Sequence, residues 1–325
     1  TGLVVAPGFI DMHHHNAGVP FGEKLALRDG VTTPLELEAG VSPVADWYAA
    51  LAGKCRSNYG ASVGTLPVRE RTFNPAYKTV FAGDAVYDLL AAPEQANTTM
   101  RWSTQVPTTE QVGQIGGMLD EGLREGALGV GHCTGYMVAG CTTQESMLAQ
   151  QVAGKSGRAV FIHARFSSQM PPTSGLLGFL EQMAAQEVYG GGLVLQHMTA
   201  QALADTERAL ELIDAAIDKG ISILPEVYPY DYGGTIVGAD YLHPDNYGPN
   251  MGRDYQDIIE TATVTPLTKG RYEELLRTAP TTNVMFYNAT EETVLKALSH
   301  PSTVLGSDAF PYVSKQDGSP ALDWE

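Results

Sequence analysis

Cysteine is scarce in this chain, with only Cys55, Cys133 and Cys141 among its 325 residues. A sparse and odd set argues against a disulfide framework and favours a reducing compartment, so we expect a cytoplasmic protein. No apolar run approaches the roughly 20 residues that a membrane-spanning helix needs. The first residues also show no basic segment followed by an apolar stretch, so a signal peptide is not indicated.

Positive charge is also in short supply, since 20 lysines and arginines face 37 aspartates and glutamates, for a net charge of −17. Binding to nucleic acid or to an anionic membrane requires clustered lysine and arginine that pair with phosphates. We therefore expect neither partner, and a small-molecule substrate is the expected ligand. The sequence leaves a homo-oligomer open.

Short β-rich runs alternate with helical patterns along the chain, which indicates a parallel sheet. The candidate strands are Leu3–Asp11, Thr32–Glu38, Tyr59–Leu66, Ala127–His132, Ala159–His163, Leu193–His197, Ile221–Tyr228 and Thr303–Asp308. There are eight of these runs, the number that closes a (β/α)₈ barrel of the TIM type. We predict a single barrel domain over 1–325, with both ends looking truncated, so that the native protein extends beyond one or both of them.

Several helices have recognisable signals. Thr108 and Thr142 are each followed three residues later by an amide or acidic side chain, the pattern of a capping box. The stretch 203–219 carries an apolar stripe at helical spacing and ends at Gly220, a typical left-handed terminator. The segments 67–107 and 235–268 are too long for ordinary barrel connections, so we predict excursions that cover the mouth of the barrel.

A histidine run, His13-His14-His15, follows the first apolar segment. On a strand, residues two apart point to the same side, so His13 and His15 are able to grip one metal ion. A fortuitous cluster or a tag remnant is the alternative, and the fusion of the run to a natural buried-strand sequence disfavours it. His14 should point to the opposite face, pack against the helical layer and be replaceable.

Further metal-binding side chains stand at the ends of the other predicted strands, where such barrels carry their active sites. They are Glu36, Glu38, His132, His163, His197 and Asp308. A lone strand histidine is usually a hydrogen-bonded core residue, but this combination favours a metal centre. His243 and His300 lie elsewhere and are interpreted as structural. A thiolate ligand at Cys133 or Cys141 is the weaker option, because a free cysteine usually behaves as a small buried hydrophobe.

The pattern resembles the amidohydrolase superfamily, and within it the N-acyl-D-amino-acid deacylases, including the D-glutamate deacylase branch. The segments that carry the resemblance are Val5-Ala6-Pro7-Gly8-Phe9-Ile10-Asp11, Gly30-Val31-Thr32-Thr33, Gly126-Ala127-Leu128-Gly129, Phe161-Ile162-His163-Ala164-Arg165, Val227-Tyr228-Pro229-Tyr230 and Gly306-Ser307-Asp308. The resemblance implies that His13, His15 and Asp308 surround one metal position, while His163 and His197 hold the other. Zinc, as one or two ions, is the implied metal.

The ligand that bridges the two positions departs from the family pattern. Many relatives use a carboxylated lysine on the fourth strand, but Gly129-Val130-Gly131-His132 has none. D-aminoacylases use a cysteine after the second strand, and the matching stretch here is Leu37-Glu38-Ala39-Gly40. We predict Glu38 as the ligand because it lies closer to the strand end than Glu36, which suits a supporting acceptor.

The resemblance implies hydrolysis of the linear amide of an N-acyl-D-amino acid, with N-acyl-D-glutamate as one option. Asp308 would act as general base and then general acid, and His132, Tyr228 or Tyr230 would donate a hydrogen bond to the developing oxyanion. Arg165 is the candidate receptor for the substrate carboxylate, supplemented by Tyr230; the competing interpretation of Arg165 is a salt bridge at the barrel rim.

Thr199 replaces a lysine that often makes the substrate-carboxylate contact in the D-aminoacylase branch, so the exact substrate is left open. Two other functions also stay open. One is a cyclic amidase of the dihydroorotase or hydantoinase type, against which the missing strand-four lysine counts. The other is a non-catalytic barrel that binds a metal or a ligand.

Overall fold

Eight parallel strands form the central sheet in a computed structural model that describes residues 2–309 except 16, 18–19, 78–100, 173 and 281. In sheet order they are β1 Phe9–Asp11, β2 Val31–Val41, β3 Gly60–Gly64, β4 Gly129–Cys133, β5 Ala159–His163, β6 Gly192–Leu195, β7 Ile223–Val227 and β12 Val304–Leu305. The sheet closes beyond β1 and β12, where the Asp308 amide donates to the His13 carbonyl at 2.8 Å and the His15 amide donates to the Ala309 carbonyl at 2.9 Å. The predicted (β/α)₈ barrel is confirmed.

The helices of the described residues mostly follow the barrel strands, as the sequence alternation predicts. Their bounds are α1 Pro20–Arg28, α2 Val44–Leu51, α3 Thr65–Phe73, α4 Arg101–Thr104, α5 Thr109–Arg124, α6 Thr143–Lys155, α7 Leu176–Tyr189, α8 Met198–Ala202, α9 Thr206–Asp218, α10 Pro244–Met251, α11 Lys269–Thr278 and α12 Glu291–Leu298. Short 3₁₀ turns occupy Thr134–Tyr136, Leu203–Asp205, Asp240–Leu242 and Tyr255–Asp257. None of these helices is both long and apolar enough to cross a membrane.

The predicted helix starts are present. Thr108 caps α5 with both halves of a capping box, in partnership with Gln111. The Thr142 side chain accepts a hydrogen bond from the backbone amide of Glu145 at the start of α6. The predicted helix over 203–219 begins with a 3₁₀ turn and continues as α9, and Gly220 follows with a positive φ of 89°.

The first predicted strand is shorter than expected. Its residues Leu3, Val4 and Val5 are 90%, 92% and 98% exposed, and pairing with β2 starts only at Phe9. The apolar character of this segment therefore does not reflect a place within the sheet. The other seven predicted strands each overlap a barrel strand.

A second, antiparallel sheet is inserted between β7 and β12. Its order is β10-β9-β11-β8, with bounds β8 Tyr232–Ile236, β9 Ile258–Glu260, β10 Thr265–Pro266 and β11 Asn283–Tyr287. Most of the predicted excursion over 235–268 therefore consists of regular elements, since it also holds α10. Of the other predicted excursion, residues 78–100 lie outside the described residues. That the chain forms one domain stays a prediction.

The apolar core has three parts that together position the ends of the barrel strands. The largest lies between the barrel and its helices, and a small one fills the barrel around Leu37, Phe161 and Val194. The third joins the strand ends to the inserted sheet, because Cys133, the last residue of β4, belongs to the same buried cluster as Phe286 of β11. The inserted sheet thus packs over the carboxyl ends of the barrel strands, where ligands of such barrels bind.

Candidate metal centre

His13 and His15 are each oriented by a carboxylate behind them. The Nδ1 atom of His13 lies 2.7 Å from Glu226 Oε2, and Nδ1 of His15 lies 2.9 Å from Glu36 Oε2. A carboxylate that accepts the Nδ1 proton leaves the Nε2 lone pair available on the other side of the ring, which is the usual arrangement of a metal-binding histidine. His13 Nε2 is buried and makes no hydrogen bond within the described part of the chain.

A first group of ligand atoms gathers at these two Nε2 atoms. Asp308 Oδ1 lies 3.2 Å from both, and Glu38 Oε2 lies 3.6 Å from His13 Nε2 and 3.5 Å from His15 Nε2. Two ligand atoms at about 2.1 Å from a tetrahedral ion lie about 3.4 Å apart. The four atoms thus have the spacing of a coordination sphere. Asp308 Oδ1 is likewise buried without a hydrogen-bond partner among the described residues.

The second group shares Glu38 with the first. The other carboxylate oxygen of that residue, Oε1, lies 2.9 Å from His163 Nδ1 and 2.7 Å from His197 Nε2. The ligand atoms of this group also lie within 4.8 Å of one another, as do those of the first. Glu38 therefore has one oxygen in each group, as the bridging assignment requires. The residues present fit a centre of one or two divalent ions with imidazole and carboxylate ligands.

The charges of the site favour bound cations. Burial opposes ionisation of Glu38, but the imidazoles of His197, His163 and His13 hold its carboxyl pKa well below the usual value. The same balance lowers the pKa of Asp308, again against the effect of burial and chiefly through His13. Two buried carboxylates that stay ionised need compensating positive charge, which either protons on the histidines or a metal ion supplies.

The histidines of the site differ in the direction in which their pKa is shifted. Burial lowers it, yet Asp308, Glu226 and Glu38 raise the pKa of His13 well above its ordinary value. For His163, burial and the neighbouring His197 prevail, and the pKa falls. In the same group the pKa of His197 is raised, against the effect of burial and chiefly through Glu38, so the direction of the shift does not separate the two groups.

Two ligands adopt left-handed backbone conformations that non-glycine residues seldom take. His197 has φ 30° and ψ 54°, and Asp308 has φ 50°. Such residues cost about 1–3 kcal/mol each and persist where surrounding contacts hold them. The His197 amide donates to Glu226 Oε2 at 2.7 Å, and the Asp308 amide donates to the His13 carbonyl. Both candidate ligands are thus held by bonds to other parts of the barrel, His197 by Glu226 on β7 and Asp308 by His13 after β1.

A cleft opens above these groups. It is lined by Glu38, Tyr136, His163, Ser167, His197, Ala200, Gln201, Tyr228, Gly233, Gly234, Tyr241, Met251, Phe286 and Asp308. The barrel supplies the acidic and imidazole floor, while the inserted sheet and its connections supply much of the aromatic wall. The described lining presents neutral hydrogen-bond donors and contains no lysine or arginine.

The two tyrosines predicted to bind substrate differ in their position relative to the cleft. Tyr228 lines the cleft with its ring centroid 5.9 Å from that of His197, and its hydroxyl accepts a hydrogen bond from Asn288 at 2.7 Å. Tyr230 does not belong to the described lining and is 50% exposed. The oxyanion role predicted for Tyr228 therefore has a position to support it, whereas Tyr230, with its ring centroid 5.7 Å from that of Tyr228, lies outside the described lining.

Arg165 and His132 are not brought to the cleft. The guanidinium of Arg165 binds both carboxylate oxygens of Glu181 and donates to the Cys141 carbonyl at 2.6 Å. These contacts support the salt-bridge interpretation of Arg165 in place of the substrate-carboxylate contact. His132 is fully buried beside Thr65, and burial, with Arg165 and Arg69 nearby, lowers its pKa to about 3. A neutral imidazole outside the described lining does not support the predicted hydrogen bond to an oxyanion.

Sequence reasoning missed Glu226 and Tyr241. Glu226 is an acid inside the apolar run of the predicted seventh strand, and a charge in a buried strand is a signal that would have found it. Tyr241 lies in a predicted excursion, where no periodicity indicates which side chains turn towards the cleft.

This fold and site define a parallel (β/α)₈ barrel with a candidate metal centre at the carboxyl ends of its strands. No protein-family model matches the chain. It is 22% identical to an N-acyl-D-aspartate deacylase of Alcaligenes xylosoxydans xylosoxydans over 96% of this chain and 64% of that protein. A D-aminoacylase of the same organism is also 22% identical, over 96% of this chain and 65% of the relative. The predicted resemblance is confirmed.

Solved structures of similar proteins have the same barrel fold. The N-acyl-D-glutamate deacylase of Bordetella bronchiseptica, complexed with zinc and a phosphonate inhibitor, matches with a TM-score of 0.68 at 21% identity, over 93% of this chain and 65% of that one. A D-aminoacylase described as defining a novel subset of amidohydrolases matches with a TM-score of 0.60 at 18% identity, over 92% and 64%. The chain thus has their fold and spans slightly less than two thirds of these relatives.

Proposed function

We propose that this protein is a metal-dependent hydrolase that cleaves the linear amide bond of an N-acyl-D-amino acid. The observation that carries the proposal is the Glu38 carboxylate, whose two oxygens belong to two different groups of ligand atoms at the floor of one cleft. The names of the two deacylases and the D-aminoacylase to which the chain is similar support the reaction class.

Zinc is the proposed metal, because imidazoles predominate among the ligands and the similar N-acyl-D-glutamate deacylase structure contains it. His13, His15 and Asp308 would hold one ion, His163 and His197 the other, with Glu38 between them. When bound, the metal supplies Lewis-acid chemistry that polarises the amide carbonyl and makes water more acidic.

Asp308 is the proposed proton carrier. Its carboxylate lines the cleft, and its lowered pKa keeps it ionised and ready to accept a proton from the attacking water. The same carboxyl group then returns that proton to the departing nitrogen, so that the amine leaves neutral. Tyr228, which lines the cleft beside His197, is positioned to donate a hydrogen bond to the carbonyl oxygen as negative charge develops there.

Substrate contacts come from both layers of the cleft. Gln201 and Ser167 of the barrel connections offer polar atoms, and Tyr241, Met251 and Phe286 offer an apolar wall for the acyl group or the amino-acid side chain. A small-molecule substrate is therefore the proposed ligand. A cytoplasmic location and a homo-oligomer stay predictions that the described contacts do not bear on.

Metal analysis and a substrate panel test the proposal. The purified protein should contain zinc and hydrolyse N-acetyl-D-glutamate or N-acetyl-D-methionine, and removal of the metal by a chelator should abolish turnover. Hydrolysis of dihydroorotate or a hydantoin in place of the acyl amino acids would instead establish a cyclic amidase. Bound metal with no turnover of any amide would favour a non-catalytic barrel.

A further inference from the structure

Glu226 occupies a place from which one carboxylate reaches both ligand groups. It lies on β7, is fully buried and forms two hydrogen bonds of 2.7 Å through the same oxygen, Oε2. One bond joins Nδ1 of His13, in the first group, and the other joins the backbone amide of His197, in the second. Glu38 and Asp308 are themselves candidate ligands. Among the other carboxylates of the described residues, none besides Glu226 has hydrogen bonds both to a histidine of the first group and to a histidine of the second.

Each bond has a definite effect on its ligand. Accepting the Nδ1 proton of His13 selects the ring form whose Nε2 atom is free to bind a metal. Accepting the amide of His197 stabilises a residue whose left-handed backbone, with φ 30°, is costly by itself. A charged acceptor makes both bonds stronger than a neutral one would.

Gly306 shows that the surroundings are built to admit this carboxylate. A Cβ atom at Gly306 would lie 2.5 Å from Glu226 Oε1 and 2.9 Å from the Cβ atom of His13. Any larger residue would therefore displace Glu226 or His13. The absence of a side chain at this position, two residues before Asp308, leaves room for the carboxylate.

We propose that Glu226 is a positioning residue that locks the two ligand groups together, by setting the ring form of His13 and the backbone of His197 at once. It touches neither the proposed ions nor the cleft, so it acts through the ligands. The proposal rests on the proposed function, because it presumes that both groups bind metal.

Zinc binding to variants with one group disabled tests this role directly. His163→Ala leaves the first group intact, and His15→Ala leaves the second. In each background, Glu226→Gln should weaken zinc affinity by about 10–100-fold, measured by titrating zinc alone into chelator-treated protein. The amide keeps the shape of the side chain but accepts more weakly, and its NH₂ group would favour the wrong form of His13 if it faced Nδ1.

Glu36→Gln is the matched control, since Glu36 accepts hydrogen bonds from the His15 ring and the Gly40 amide and, within the described part of the chain, from neither His163 nor His197. It should weaken zinc binding only where the first group is intact. Gly306→Ala, which crowds the Glu226 carboxylate without removing it, should reproduce the two-group effect if Glu226→Gln fails to fold. Circular dichroism of the metal-free variants separates loss of fold from loss of affinity.

Unchanged zinc affinity in either background would overturn the role of Glu226, since a residue that only supports the fold would lower stability and leave both affinities intact. If the unsubstituted protein itself binds no zinc, the proposed function fails instead.

Discussion

The two ligand groups share Glu38 but are held in different ways. In the first, His13 and His15 each have a carboxylate behind the ring, at 2.7 Å and 2.9 Å. In the second, the remaining ring nitrogen of His197 lies 3.4 Å from the Gln201 amide, its one hydrogen-bond partner among the described residues. The spacing differs too, with ligand atoms 3.2–3.6 Å apart around the first position and 2.7–2.9 Å from Glu38 Oε1 around the second.

The imidazole rings of the first group are therefore oriented by carboxylates outside the ligand set, whereas those of the second group are in direct contact with the shared Glu38. Glu226 on β7 and Glu36 on β2 accept hydrogen bonds from the first pair of histidines, and neither contact involves Glu38. The rings of His163 and His197 contact Glu38 directly, at hydrogen-bond distance, while Glu226 holds the second group only through the backbone amide of His197. Changes around the site should therefore affect the two groups unequally.

The largest effect is expected from Glu38→Ala, which removes a ligand from both groups. We expect bound zinc to fall below one equivalent. Turnover should drop by more than about 10³-fold, because the reaction would lose the metal that polarises the amide carbonyl and activates water. Elemental analysis and steady-state kinetics measure both. Retention of a full equivalent at each position would show that the carboxylate is not shared.

Asp308→Asn should come next, because the amide cannot accept the proton of the attacking water. A loss of about 10²–10⁴-fold in kcat is expected, the usual range for a general acid or base. The second group should keep its zinc, since Asp308 belongs only to the first. Asp245→Asn, at a carboxylate that is 89% exposed, provides the control and should behave as the parent protein. Normal kcat in Asp308→Asn would remove the residue from the mechanism.

Glu36→Gln and Gln201→Ala form a pair that tests the difference in support. We expect Glu36→Gln to weaken zinc at the first group by about 10–100-fold, because a carboxylate orients His15. Gln201→Ala removes a long contact of 3.4 Å and should change affinity at the second group by less than about threefold. Zinc titrations decide the matter, and equal losses would mean that both groups are supported alike.

The smallest effect on metal is expected from His14→Asn. His14 is buried but belongs to neither ligand group, and burial lowers its pKa to about 4. Zinc content should stay unchanged while the free energy of unfolding falls by about 0.5–3 kcal/mol, the common range for a buried substitution. Thermal unfolding and elemental analysis check both; loss of zinc would make His14 a ligand after all.

Much of the barrel was predictable because strand and helix periodicities are local properties of the chain. Capping at Thr108 and termination at Gly220 also depend on a few adjacent residues, and both appear as expected. The prediction of the first strand was wrong at Leu3–Val5, which is exposed. An apolar run does not reveal whether another strand is available to pair with it. The inserted sheet was missed because its short strands pair across long stretches of sequence.

The candidate ligands followed from residue type at strand ends, a position that topology makes equivalent in every barrel. Arg165 and His132 stand at similar ends, yet their contacts direct them away from the cleft. A sequence gives no measure of which competing partner a side chain selects, and in the structure the Arg165 guanidinium pairs with the Glu181 carboxylate.

By itself, the sequence determined the alternation that builds the barrel and the histidines and carboxylates that can bind metal, because both are encoded in residue types at short spacing. Only the tertiary structure decided that Glu38 spans two ligand groups, that Glu226 joins His13 to His197, and that an inserted sheet walls the cleft. Those relations hold between residues far apart in the chain, and only closure of the barrel brings them within bonding distance.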